Sequence, residues 1–208
     1  MDLTSKGVIF DLGGVIFPSP MSLWIDYEKQ LGLKENSLME TMMKDPTILE
    51  DFHNLELGKF TVAEFESRFA RAYNSRNGTT LSSLPLISEC IKFGTKDKSR
   101  LYPQMLEAIR LLRLYKYKTA LLTNNFLFDK EGQQSTQPFE SQDGFFDVIV
   151  ESCRVGMRKP DARIYQLVVE KLGCKAKDTL FLDDLGVNLK AAKQLGIDTI
   201  KVGCVSVH

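Results

Sequence analysis

The chain has 208 residues, 43% of them hydrophobic, enough for one good core or one core with a smaller satellite and too apolar for a disordered chain. Lys plus Arg equals Asp plus Glu at 27 each, so no global field favours nucleic acid or an anionic membrane, and any anion site must be local. No apolar run is long enough to span a bilayer, and the first strand begins too early for a signal or transit segment, so the sequence predicts a soluble, cytoplasmic protein.

The first predicted element is the apolar run Val8-Ile9-Phe10. It lacks alternation, which suits a strand buried on both faces of a parallel sheet. Asp11 stands at its carboxyl end, where ligands bind in open α/β sheets, and Gly13 and Gly14 allow a sharp turn and close approach of a ligand. Asp11 therefore reads either as a nucleophile or metal ligand, or as a loop aspartate capping a turn.

After Pro18-Ser19-Pro20 the pattern turns helical and stays so to about Arg100. Helices are expected over Met21–Leu31, stopped by Gly32, and over Ser37–Met43 and Thr47–Leu55. Thr61 and Glu64 form a capping-box signature ahead of the stripe Val62, Phe65, Phe69, Tyr73. Asn74–Ser83 reads as loop, Leu84–Phe93 as a last helix and Lys96–Arg100 as linker. Trp24 and the phenylalanines read as core.

From Leu101 helix and strand alternate again. The spacing of Met105, Leu106, Ile109, Leu112 and Leu114 predicts an amphipathic helix, and Lys118–Leu122 a strand ending at Thr123-Asn124-Asn125. Phe126–Gly144 reads as an irregular surface loop. Then follow a strand over Phe146–Val150, a helix over Pro160–Leu172, a strand over Thr179–Leu182, a helix over Gly186–Leu195 and a final strand over Thr199–Val202. Such units imply a mostly parallel sheet with helices on both faces. Residues 1–17 and 101–208 would form this core, and the helical insertion 18–100 would cover its carboxyl edge.

Polar residues gather at those strand ends. Thr123-Asn124 offers a hydroxyl and backbone N–H groups suited to a phosphate oxygen, or ordinary turn chemistry. Lys159 precedes Pro160, which favours extended backbone before it and a helix start at it. Asp183-Asp184 are adjacent like charges, for which a bound cation is the economical explanation; a helix cap accounts for one of them only. The two histidines, His53 and His208, make a histidine metal site or a Ser-His-Asp triad hard to assemble. Cys90, Cys153, Cys174 and Cys204 are scattered and read as buried small hydrophobes.

In order and spacing, Phe10-Asp11-Leu12-Gly13-Gly14-Val15, Leu122-Thr123-Asn124, Lys159-Pro160-Asp161 and Phe181-Leu182-Asp183-Asp184-Leu185-Gly186 together resemble the four motifs of the haloacid dehalogenase (HAD) superfamily. The wording around Lys159 and Asp183 is similar to that of the phosphatase domain of soluble epoxide hydrolases and the HAD domain of acyl-CoA dehydrogenase family proteins. The resemblance implies a Rossmann-like α/β fold with a helical cap, and a phosphatase acting on a small phosphorylated molecule through an aspartyl-phosphate at Asp11. It further implies Mg²⁺ held by Asp11, the carbonyl of Gly13 and Asp184, with Asp183 in support. Thr123 and the N–H of Asn124 would hold phosphoryl oxygens and Lys159 would neutralise charge.

One position breaks the pattern. Phosphatases of the family carry a second aspartate two residues after the nucleophile, as proton donor to the leaving group; here it is Gly13. Such an enzyme should be slow, should prefer activated phosphates, or should borrow a carboxylate such as Glu56 from the insertion. The alternative is a non-catalytic phosphate-ligand binding or regulatory module. The turn Leu55-Glu56-Leu57-Gly58-Lys59 is the expected loop facing the site, with Lys59 either meeting an anionic substrate tail or simply exposed.

Overall fold

The computed structural model describes residues 6–89, 101–129 and 144–203. The expected linker 96–100, the last part of the helix expected over Leu84–Phe93, the greater part of the loop 126–144, and Cys90, Cys204 and His208 lie outside them.

Five parallel strands form one sheet: β1 (Gly7–Phe10), β2 (Lys118–Thr123), β3 (Val148–Glu151), β4 (Thr179–Asp183) and β5 (Asp198–Lys201), in the order β3-β2-β1-β4-β5. All four residues of β1 are buried, as expected of a strand without alternation. Its side chains still divide by the two-residue period. Ile9, with Ala120, Leu122 and Phe181, faces one apolar layer; Val8 and Phe10, with Leu121, face the other.

The first layer is closed by α7 (Ala162–Leu172) and α8 (Gly186–Gln194), through Ile164, Tyr165 and Val168 of the one and Leu189 and Ala192 of the other. The second is closed by Ile109 of α5 (Pro103–Leu114) together with Val15, Ile16 and Phe146. The chain runs outward from β1 through β2 to β3, then returns to the other side of β1 for β4 and β5. The carboxyl edge between β1 and β4 is therefore the point where strand order reverses, the place such sheets leave open for a ligand.

Between β1 and α5 lies a helical block: α1 (Pro20–Leu31), α2 (Ser37–Lys44), α3 (Pro46–Glu56), α4 (Val62–Asn77) and a helical turn at 86–89. It has its own apolar core, with Phe65, Phe69, Leu38, Leu55 and Leu86 fully buried and Trp24 inside it. Rings of Phe52, Phe65 and Phe69 stack in a tilted chain at 5.7 and 5.9 Å. The termini follow local chemistry. The Thr61–Glu64 capping box forms in full, and Asp45 accepts from the N–H groups of Thr47 and Ile48. The buried Glu28 carboxylate accepts from the N–H groups of Asn36 and Leu38, both at 2.7 Å, and so fixes the start of α2.

Several boundaries differ from the sequence reading. Helix α4 runs on through Asn77 before stopping at Gly78 (φ 65°), because Asn74 faces outward and holds the following loop, accepting from Leu81 N–H and donating to Leu81 O. Strands β2 and β4 each extend one residue further, to Thr123 and Asp183. A one-turn helix, α6 (Ser152–Val155), follows β3 unannounced by any periodicity. Helix α7 starts at Ala162, capped by Asp161, so Pro160 precedes the helix rather than opening it. Leu114, assigned to the buried stripe of α5, is 69% exposed, and Cys174 is only half-buried, whereas Cys153 is buried. No helix among the described residues is long and apolar enough to cross a membrane.

The helical block rests on the sheet layer at defined points. Val62 N–H donates to Leu127 O at 3.0 Å, beyond the end of β2. Gly58, at φ +73°, lies so close to the chain after β3 that an added Cβ would stand 2.2 Å from the carbonyl oxygen of Cys153. Only glycine permits that approach.

Candidate active site

Asp11 leaves β1 with its N–H still paired to Leu182 O at 2.9 Å, so the β1–β4 ladder carries it to the carboxyl edge. Asp183 is the last residue of β4 and is fully buried. Between them lies the ammonium of Lys159, 2% exposed, donating to Asp11 Oδ1 and to Asp183 Oδ2, each at 2.8 Å. Asp184 follows immediately after β4, half-buried. Oxygen atoms of Asp11, Asp183 and Asp184 all lie within 4.8 Å of one another. Residues 172 positions apart in sequence thus converge, as the motif order required.

Each group is held from behind. Asp11 Oδ1 also accepts from Leu12 N–H at 2.6 Å. Asp183 Oδ1 accepts from Leu185 N–H at 2.7 Å, and the amide of Asn188, in the first turn of α8, donates to both Asp183 oxygens. Lys159 is gripped by its main chain: the Asn124 side chain accepts from Lys159 N–H at 2.9 Å and donates to Lys159 O at 3.1 Å. The Lys159–Pro160 peptide is cis. Asn125 ties the neighbouring strand ends together, donating to Glu151 Oε1 at 2.7 Å while its N–H meets Ser152 Oγ.

The electrostatics are those of excess negative charge in a dry place. Burial pushes the Asp11 carboxyl up to about 7; Lys159 opposes this and the Asp183 charge adds to it. Asp184 is raised, again by burial and then by Asp183. Burial alone would pull Lys159 down, but the two carboxylates outweigh it and keep the ammonium charged. One cation for three carboxylates leaves net negative charge that a hard divalent ion bound through oxygen would satisfy.

The backbone makes room for that arrangement at Gly14. Its φ is +77°, and a Cβ there would stand 2.3 Å from Asp184 Oδ2, so the first motif is bare where the fourth approaches it. The oxygen donor set and this glycine cradle fit a hard divalent cation such as Mg²⁺.

The other residues singled out in the sequence are placed as follows. Thr123 is buried at the end of β2, its hydroxyl donating to Asn124 O at 3.3 Å. Gly13 brings only backbone, bridging to Phe17. Lys59 does not converge on the site: it is exposed and donates to Asn54 Oδ1 of its own helix end at 2.9 Å. Glu56 is 6% exposed and accepts from Arg158 Nε across the boundary between the helical block and the sheet layer. It also shares a hydrogen bond with the Asn124 side chain and lies within the field of Lys159. Sequence reasoning missed Arg158 and Asn188 as participants. The signal available for Arg158 was its place directly before Lys159.

The comparisons agree with this geometry. A family model for haloacid dehalogenase-like hydrolases matches residues 5–196. Acyl-CoA dehydrogenase family member 10 of Mus musculus is 34% identical over 197 residues, covering 95% of this chain and 18% of that protein. Bifunctional epoxide hydrolase 2 of Sus scrofa is 32% identical over 206 residues, covering 95% and 36%. The chain thus spans well under half the length of these curated relatives. A solved HAD family enzyme from Bacteroides thetaiotaomicron, in complex with magnesium and inorganic phosphate, superposes with a TM-score of 0.65 at 26% identity over 98% of each chain. With four motifs meeting at one sheet edge and a family match over nearly its whole length, the chain belongs to the haloacid dehalogenase-like hydrolase family.

Proposed function

We propose that the chain is a Mg²⁺-dependent phosphohydrolase for a small phosphorylated molecule. The observation that carries this reading is the buried Asp11–Lys159–Asp183 cluster at the point of strand-order reversal, with Asp184 beside it. Asp11 is the nucleophile, and Lys159 neutralises charge as the phosphoryl group approaches. Thr123 and the Asn124 N–H hold phosphoryl oxygens, while the Asn124 side chain fixes the main chain that aims Lys159. Asp11, the Gly13 carbonyl and Asp184 would hold Mg²⁺, and Asp183, committed to Lys159, Leu185 and Asn188, supports them. When bound, the ion neutralises and orients the phosphoryl group. The magnesium and phosphate in the Bacteroides thetaiotaomicron enzyme are in keeping with this assignment. Residues 18–100 serve as the cap over the site and select the substrate.

A transferred phosphoryl group passes from one oxygen to another roughly in line. Asp11 attacks from the sheet floor, so the leaving oxygen departs toward the helical block. Purified protein with Mg²⁺ should hydrolyse acetyl phosphate and activated aryl phosphates, and Asp11→Asn should abolish turnover. The second reading, a binding or regulatory module, is favoured by one feature, the missing carboxylate at Gly13. It predicts Mg²⁺-dependent phosphate-ester binding with no turnover on any phosphate.

A further inference from the structure

We propose that Glu56 is the general acid and base of this reaction, supplied by the helical block in place of the carboxylate that Gly13 lacks; this rests on the phosphohydrolase reading above. Helix α3 ends at Glu56, and the turn that follows is pressed onto the Cys153 carbonyl through Gly58. That contact delivers the carboxylate to the phosphate side of the site. There it meets the Arg158 guanidinium and the Asn124 amide, with Lys159 beyond. The in-line path places the leaving oxygen on the side of the molecule from which Glu56 enters.

The other carboxylates buried among the described residues are already committed. Glu28 caps α2, Asp51 pairs with Arg68, and Glu151 holds Asn125 and Arg154. Asp183 is filled by Lys159, Leu185 and Asn188. Asp11 makes the attack. Glu56, paired with Arg158, is the one that lies beside the phosphate-binding residues. Its charged neighbours are Arg158 and Lys159, with His53 one turn earlier on α3. Burial raises its carboxyl above the ordinary range and Arg158 opposes the rise, which helps it hold a proton.

In the first step an Asp11 oxygen bonds to phosphorus as the bond from phosphorus to the ester oxygen breaks. That oxygen takes the Glu56 proton and leaves as the alcohol. In the second, the Glu56 carboxylate accepts a proton from water, whose oxygen attacks phosphorus; the bond to Asp11 breaks, and the Asp11 carboxylate and inorganic phosphate are released.

The test compares kcat/KM, which reports steps through leaving-group departure, for p-nitrophenyl phosphate and for glycerol phosphate in wild type and Glu56→Gln. The aryl leaving group needs no proton and the alkyl one does. Loss of a positioned acid should lower the glycerol phosphate value about 10²-fold or more and the aryl value about tenfold or less. Gln keeps the shape of the side chain and an acceptor for Arg158. Arg158→Ala, which breaks the ion pair but leaves Glu56, should keep the wild-type ratio between substrates. Gly13→Asp in the Glu56→Gln background should recover the alkyl ester rate. An equal fall on both esters, or a ratio that Arg158→Ala changes as Glu56→Gln does, would make Glu56 a structural latch and overturn the proposal alone. Wild type inert toward both esters, with phosphate binding intact, would overturn the phosphohydrolase reading and this proposal with it.

Discussion

Replacing Gly14 by alanine probes how the first motif makes room for the fourth. At φ +77° an alanine pays the left-handed penalty of about 1–2 kcal/mol. Its Cβ would also stand 2.3 Å from Asp184 Oδ2 and 2.5 Å from Asp184 Cγ, well inside contact distance. The Asp184 carboxylate can rotate away, but Asp184 Cβ, 2.9 Å from the added atom, moves only with its backbone, so the stability loss should exceed the left-handed penalty alone. The larger effect falls on the ion site, because the rotated carboxylate no longer faces Asp11. Urea unfolding with and without Mg²⁺ separates the two. At free Mg²⁺ a hundredfold above its Kd, wild type should gain about 2.7 kcal/mol from linkage. Gly14→Ala should gain little, matching Asp184→Ala, while both remain folded without the ion. A Gly14→Ala protein stabilised by Mg²⁺ as much as wild type would show that Asp184 does not need the bare backbone, and would refute the cradle argument.

Lys159→Met should destabilise the Mg²⁺-free protein by about 3–5 kcal/mol in urea titration, because it strands Asp11 and Asp183 together without a cation; a loss under about 1 kcal/mol would show the pair to be hydrated. At the far end of the sheet, burial lifts the Asp147 carboxyl, but the Thr119 N–H at 2.8 Å and Arg113 at 3.0 Å outweigh it and hold it below the usual range. Its folded value lies below its unfolded one, so wild type should exceed Asp147→Asn by about 1–2 kcal/mol at neutral pH. That advantage should shrink as pH falls through the folded value; a difference independent of pH would assign it to packing.

The sheet was legible because its strands carry their own signatures: an unalternating Val8-Ile9-Phe10, and carboxylates or hydroxyls placed directly after apolar runs. Asp11, Asp183 and Asp184 could be named for the same reason, since strand ends in a parallel sheet share one edge; Lys159, beyond β3 and α6, was marked instead by Pro160 and the third motif. The capping box at Thr61 and the glycine stop at Gly32 are local events that need no tertiary information. What escaped depends on distant partners. Asn124 was read for its N–H, yet its side chain also bonds the N–H and the carbonyl of Lys159, 35 residues on. The Glu56–Arg158 pair joins positions 102 apart, and no periodicity couples them. Helix α6 is a single turn, too short to show a repeat. Asn74 and Asn77 looked like loop residues, but their amides bond neighbouring carbonyls and let α4 continue.

The proposed turnover depends on a covalent bond between phosphorus and Asp11. Protein mixed with acetyl phosphate and Mg²⁺, quenched rapidly in acid and digested, should yield a peptide spanning Asp11 that carries one phosphoryl group, lost on treatment with hydroxylamine and absent from Asp11→Asn. Phosphate release from the wild type without that adduct, or an Asp11→Asn protein that turns over at the wild-type rate, would contradict it.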